Sequence, residues 1–365
     1  TWRALYNTMI SQNSANKLQK NNDTMKLSIC IPTYNRANHL VSCLNSIITC
    51  SLNSDLQFQV CVSDNHSTDE TEAVVRNAQL SIDIKYHKNF SNLGIARNIL
   101  KVASIADGDF VWLLGDDDLL MPDAIEALYR LIDLYPDVDF FYLNSFHLTT
   151  EYVQGYPSPF DTANLPVDME PFSKWKNVGV MPFFALIDPR VSFDFLGGIF
   201  LSVFRKENWA KNTHVLNQSA LEDNRTFSHP DNTFPHIKIF ASAFSKSKAY
   251  FNDQPLSVCL TGAREWTAMG PLVMSVRLVE ALQEYRNNGL PYWQYFYCKN
   301  HALRNFLPDF LKLLRHKDSS GYIYISPFKL LAKSLLYPNF YMSVFYFTGR
   351  QMGKLLQRIV NIFIS

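Results

Sequence analysis

Short apolar runs alternate with amphipathic stretches through the first 145 residues. The runs "LSICI" (27–31), "FQVCVS" (58–63), "IDIKYH" (82–87), "FVWLL" (110–114) and "VDFFYLN" (138–144) have the length and hydrophobicity of buried strands. Between them apolar residues recur at helical spacing. Leu40, Cys43, Leu44, Ile47 and Ile48 share one face of 36–49, and Ile95, Ile99, Val102 and Ala106 share one face of 94–106. Ile125, Leu128 and Ile132 follow Pro122, a residue suited to a first helical turn. Ser67 and Glu70 form a capping-box pattern ahead of Val74, Val75 and Ala78. This alternation predicts an α/β chain: a Rossmann-like, mainly parallel sheet with helices on both faces.

From about 150 to 235 the alternation loosens. Pro157, Pro159, Pro166, Pro171, Pro182 and Pro189 predict long loops. Residues 196–210 read as a Gly hinge, an apolar strand or helix and a basic turn, while 236–250 and 272–286 read as helices. From about 303 onward, basic and apolar residues interleave in a mostly helical pattern. The stretch 334–349 carries no formal charge, but it is shorter than a span of ~20 residues and contains Pro338.

Composition narrows the function classes. Lys and Arg total 34 against 33 Asp and Glu, a net charge of +1, so no bulk field favours nucleic acid. The six cysteines show neither a CxxC pair nor metal-ligand spacing. Cys30 and Cys61 fall inside apolar runs and read as small core residues, which fits a reducing compartment. Residues 1–26 are polar and Asn-rich, without a secretory pattern, and 1–24 read as a loose extension ahead of Met25.

In a doubly wound sheet, ligands bind beyond the carboxyl ends of the strands, where strand order reverses. With a strand order 3-2-1-4, the loop "PTYNRA" after the first strand meets "GDDD" after the fourth. Asp116, Asp117 and Asp118 would then stand at the mouth of a crevice. Two readings of the triplet stand open. Hard carboxylates suit Mg2+ or Mn2+ bridged to phosphates, and the same carboxylates suit a solvated turn before a helix N-terminus.

Four segments occur in order near strand ends: "SICIPTYNRANHL" (28–40), "VCVSDNHSTDET" (60–71), "NLGIARN" (92–98) and "VWLLGDDDLLMPD" (111–123). Together they resemble the family 2 glycosyltransferases, with their nucleotide-sugar-binding GT-A fold, over about residues 26–145. The resemblance implies that Pro32, Thr33 and Tyr34 line the base and ribose, with Arg36 near the phosphates. It implies that Asp64 accepts from the base or ribose, with Asn65 where the family often has a second acid. Gly94 would permit close backbone approach, and Arg97 and Asn98 would lie beside the nucleotide. The family's D-x-D-D pattern puts its first Asp at Gly115. Asp117 is then the expected ligand of Mg2+ or Mn2+, with Asp116 and Asp118 as co-ligand, ribose contact or support. The "WLLGDDDLL" stretch is also similar to transferases of deoxy and dideoxy sugars.

The resemblance further implies an inverting transfer from a nucleotide-sugar to a hydroxyl of a glycan or lipid-linked glycan, in bacterial O-antigen or capsule synthesis. Such a transfer needs a general base on the acceptor side. The candidates are Asp223, then Glu222, in "SALEDNRTF", and Asp231 in "SHPDNTFPH". A solvated acid pair is the competing reading of the first two. His229 and His236 are candidate acceptor contacts, against a structural role. Trp175, Trp209 and Trp266 could stack on sugars, though core packing is the commoner fate of Trp. The expected division is 1–24 extension, 25–150 nucleotide-sugar-binding half, 151–270 acceptor half and 271–365 basic, apolar helical region. That last region would contact the inner face of the cytoplasmic membrane, or else cover the core or bind a second copy. A sugar nucleotidyltransferase and a non-catalytic membrane scaffold are the alternatives. The absence of glycine from "IPTYNRA" argues against the first, and the intact Asp triplet against the second.

Overall fold

The computed structural model describes residues 26–52, 56–262 and 266–364. The expectations for residues 1–24 therefore lie outside the described residues. One mixed sheet forms the centre, in the order β3-β2-β1-β4-β9-β6-β10-β5. The strands are β1 (Leu27–Thr33), β2 (Phe58–Asp64), β3 (Ile84–Lys88), β4 (Phe110–Leu113), β5 (Leu119–Leu120), β6 (Phe140–Thr149), β7 (Glu170–Pro171), β8 (Gly179–Pro182), β9 (Ser202–Arg205) and β10 (Lys248–Thr261). β3, β2, β1 and β4 are parallel, as the alternation predicts, and β1 lies between β2 and β4.

The apolar runs become strands because both their faces are covered. Leu27, Ile29, Cys30 and Ile31 are fully buried, and Cys30 pairs in register with Cys61. Helices Ala37–Leu52, Ile95–Ser104 and Ala124–Leu134 bury the faces their spacing indicates, such as Leu40, Leu44 and Ile47 on the first. Removing each such side chain from water contributes about 1.5–3 kcal/mol. All six cysteines are free and buried.

The capping box does not form. Helix Thr71–Ala78 starts after Glu70 with no side-chain cap from it. The Ser67 hydroxyl instead accepts the Asn35 N–H at 2.8 Å. Asp69 accepts from the Thr71 N–H at 3.1 Å and from the Ala37 N–H at 3.0 Å, so one carboxylate serves two helix starts.

The second half does not build a separate sheet. β9 inserts antiparallel between β4 and β6, and β10 runs parallel to β6. Residues 248–250, read from sequence as the end of a helix, open this long strand; the helix before it is Pro235–Ala243. β10 shifts register between Asn252 and Ser257, and beyond the bulge it pairs with β5. That bend carries Cys259 and Leu260 back to the crevice at the end of β1 and β4. Among the described residues, no helix is long and apolar enough to cross a membrane.

Candidate active site

The carboxyl ends of β1 and β4 bring the two loops together. Thr33 Oγ1, at the last position of β1, donates to Asp116 Oδ2 at 2.7 Å. The Arg36 guanidinium bridges the triplet, with Nη1 3.0 Å from Asp116 Oδ1 and Nη2 2.9 Å from Asp117 Oδ2. Asp118 folds back, its Oδ2 accepting the Gly115 N–H at 3.0 Å. Burial first, and the charge of Asp117 second, hold the Asp118 carboxyl well above the usual carboxylate range. The three adjacent acids thus have different surroundings: Asp116 and Asp117 share a cation, and Asp118 lies in the low-dielectric wall behind them.

A cavity of about 380 Å³ opens over this pair. Pro32, Thr33, Tyr34, Arg36, Asn65 and Asn98 form one side, and Asp116, Asp117 and Asp118 the floor. The second half of the chain adds Phe193, Asp194, Gly197, Gly198, His236 and Trp266 to the lining. Sequence reasoning missed the loop containing Asp194. The available signal was an acid three residues ahead of a Gly pair, in "DFLGG".

Other expected residues are held in the structure around the cavity or lie outside its lining. Asp64 is fully buried at the end of β2, outside the lining, where it accepts the Ser67 N–H and the Tyr86 hydroxyl, both at 2.7 Å. Asn98 is a buried clasp whose Nδ2 donates to Ser63 O at 3.0 Å and Thr33 O at 3.3 Å. Gly94 caps helix Ile95–Ser104 at φ 81°, and Arg97 is exposed on that helix, away from the lining.

None of Glu222, Asp223 and Asp231 lines the cavity. Glu222 is exposed. Asp223 pairs with Arg225 at 2.7 Å and accepts from Ser228 Oγ at 2.7 Å, and these partners hold its carboxyl far below the usual range, which makes it a weak base. Asp231 is buried, its Oδ2 accepting from the Asn217 N–H at 2.7 Å and pairing with Lys238 at 2.9 Å. His229 caps the Asp231 backbone, whereas His236 does reach the cavity. Trp209 stacks on Phe204 in the core, Trp175 lies under Arg190, and Trp266 lines the cavity.

Residues 28–190 match the profile of glycosyl transferase family 2. Over this segment the chain is similar to the family 2 glycosyltransferases. Within it, 117 residues are 41% identical to the abequosyltransferase RfbV of Salmonella typhimurium, covering 31% of this chain and 34% of that protein. A further match, 38% identical over 108 residues, is to a GalNAc(5)-diNAcBac-PP-undecaprenol β-1,3-glucosyltransferase of Campylobacter jejuni, covering 29% of this chain and 34% of the relative. The alignments thus span about a third of the length of each of these relatives. The likeness in fold extends further than the sequence match. The S. aureus TarS structure in complex with UDP superposes with a TM-score of 0.50 at 16% identity, covering 78% of this chain and 72% of that one.

Carboxylate chemistry at the floor suits a metal. Asp116 and Asp117 already converge on one cation, the Arg36 guanidinium, and offer hard oxygen donors. Among the described residues no three His, Cys, Asp or Glu side chains form a complete cage. Mg2+ and Mn2+ sites commonly need only one or two carboxylates, because phosphates and water fill the remaining positions.

Proposed function

We propose that the chain transfers a sugar from a nucleotide-sugar to a hydroxyl of a glycan or lipid-linked glycan, with inversion, in bacterial surface polysaccharide synthesis. The lipid-linked acceptor named for the Campylobacter relative, and the O-antigen or capsule setting, come to this chain as part of that proposal. The observation that carries it is the single cavity whose one side is the β1 loop and Asp triplet and whose other side is built by the second half of the chain.

In this reading Pro32, Thr33, Tyr34 and Asn65 receive the nucleoside. Arg36 faces the diphosphate and stabilises its negative charge with paired N–H donors. Thr33 fixes the Asp116 carboxylate, so that side chain spends no entropy on binding. Asp117 with Asp116 would hold Mg2+ or Mn2+, which when bound neutralises charge developing on the leaving diphosphate. The buried Asp118 and Gly115 keep the floor rigid. The aromatic residues Phe172, Phe193, Phe227, Phe234 and Trp266 would give the sugar an apolar, aromatic surface to pack on. The exposed basic and apolar C-terminal helices would seat the enzyme on the inner membrane face, beside a lipid-linked acceptor.

Titration calorimetry of the purified chain with UDP, GDP, CDP and dTDP, each with and without Mn2+, tests the donor half. One nucleotide is expected to bind, more tightly with Mn2+, and Asp117→Asn is expected to abolish the Mn2+ enhancement. If none of the four binds under either condition, the transferase reading fails.

A further inference from the structure

Asp194 stands in a loop that the rest of the molecule holds unusually firmly. Residues 191–198 cross the far side of the cavity between two stretches of core. Three buried side chains from three separate elements hold the loop backbone. The Tyr142 hydroxyl of β6 donates to Val191 O at 3.3 Å, the Tyr285 hydroxyl donates to Phe195 O at 2.9 Å, and His236 Nε2 lies 3.1 Å from Gly197 O. Directly after Asp194, two fully buried non-glycine residues adopt left-handed backbone, Phe195 at φ 52° and Leu196 at φ 70°. Such conformations cost of order 1–3 kcal/mol each and persist only where the surroundings impose them.

The glycine pair closes the loop around the carboxylate. A Cβ on Gly198 would stand 2.8 Å from the Phe200 ring and 3.1 Å from Asp194 Oδ2, and one on Gly197 would stand 3.0 Å from Asp194 O. Gly198 N–H donates to Asp194 Oδ2 at 2.7 Å, and Ser192 Oγ donates to Oδ1. Each oxygen therefore has a fixed donor, and a carboxylate has about four acceptor sites, enough to take a further hydroxyl. Asp194 lines the same cavity as Asp116 and Asp117.

Resting on the transferase reading above, we propose that Asp194 is the catalytic base that takes the proton of the acceptor hydroxyl. The acceptor O–H bond breaks and its proton goes to the Asp194 carboxylate. The acceptor oxygen forms the new bond to the anomeric carbon. The bond from that carbon to the diphosphate oxygen breaks, and its electron pair leaves on the nucleoside diphosphate. The loop's clasps fix the position of the base, and a general base must stand within hydrogen-bond reach of the proton it takes.

The test needs no identified acceptor, because water can stand where the acceptor hydroxyl stands. The probe is the nucleotide-sugar of the nucleotide that binds, and the readout is release of nucleoside diphosphate without added acceptor. Asp194→Asn is expected to lower that rate by about 100-fold or more, with nucleotide affinity and melting temperature unmoved. Hydrolysis by Asp194→Asn at the wild-type rate overturns the assignment, as does a loss confined to Asp231→Asn. A variant that melts lower and loses nucleotide affinity together also overturns it, since Asp194 would then only hold the loop. Failure of the wild-type chain to bind any nucleotide strikes the transferase reading instead, so the two failures are separable.

Discussion

Gly115 has a hydrogen where a methyl would meet Asp118 Oδ2 at 2.7 Å and Asp117 Oδ1 at 3.0 Å. The departure from the family's D-x-D-D pattern therefore has a steric reason: in this chain the neighbouring carboxyl groups occupy the space a side chain would need. Gly115→Ala is expected to destabilise the fold by about 1–3 kcal/mol, read as a lower urea midpoint, and to weaken Mn2+-dependent nucleotide binding. Gly115→Asp, which restores the family residue, is expected to be worse because it adds a fourth carboxylate. A Gly115→Asp chain as stable as wild type would show that Asp118 can turn away freely. His236 gives a second residue-scale expectation. It is fully buried, its Nδ1 has no hydrogen-bond partner, and burial lowers its pKa from 6.5 to about 4. The unfolded chain takes up this proton below pH 6.5 while the folded chain refuses it down to about pH 4. Stability is thus complete above pH 6.5 and falls as pH drops through that window, by about 2 kcal/mol at pH 5. Urea midpoints at pH 7 and pH 5 check this: His236→Gln should lose less on acidification than wild type, and an equal loss refutes it.

At the scale of elements, Asn98 joins three of them. From helix Ile95–Ser104 it donates to the carbonyls of Thr33 on β1 and Ser63 on β2, and it accepts from Ser63 Oγ at 2.7 Å and Asn89 Nδ2 at 3.1 Å. Asn98→Ala strips partners from several buried polar groups, each costing about 1–3 kcal/mol. A loss of about 2–4 kcal/mol in unfolding free energy is expected, with weaker nucleotide binding because Thr33 sits at the end of β1. Unchanged stability would mean water replaces the amide. The motif around Asn98 was legible in the sequence, but its clasp on β1 and β2 was not, because the partners Thr33 and Ser63 lie far away along the chain. Strands β1, β2 and β4 were legible because burial on both faces leaves a nearly unbroken apolar run. β10 was not, because Asn252, Asp253, Gln254 and Pro255 interrupt it at the bulge that bends it toward the site. Nor was the Asp194 loop, whose left-handed turn is imposed by Tyr142, Tyr285 and His236 from distant parts of the chain. The first half of the site follows from local patterns, while the lining from the second half of the chain depends on contacts that local patterns do not encode.

The whole molecule separates its charge. Residues 319–365 carry Lys329, Lys333, Arg350, Lys354 and Arg358 and no acid, although the chain as a whole is only +1, so the remainder is net negative. The same region keeps large apolar groups in water. Tyr341, Met342, Phe345, Tyr346 and Met352 of helix Pro338–Ile364 are exposed and recur at helical spacing on one stripe, and Phe328 and Leu336 are more than three-quarters exposed. Ser343 on the opposite stripe is buried and donates to Phe340 O. An exposed aromatic stripe in a segment whose charged residues are all Lys or Arg suits an anionic lipid surface, which takes apolar side chains into its interface and Lys and Arg at its headgroups. The full chain is expected to sediment with vesicles containing phosphatidylglycerol and to stay in solution with phosphatidylcholine alone. High salt should release it, because at about 1 M the screening length falls to about 3 Å. Phe345→Ser with Tyr346→Ser should weaken sedimentation while leaving nucleotide affinity untouched, since both side chains lie on the exposed stripe and outside the cavity lining. Equal sedimentation with both vesicle types would remove the electrostatic half of the explanation. No sedimentation, together with a concentration-dependent dimer in sedimentation velocity that the double variant abolishes, would assign the stripe to a second copy of the chain.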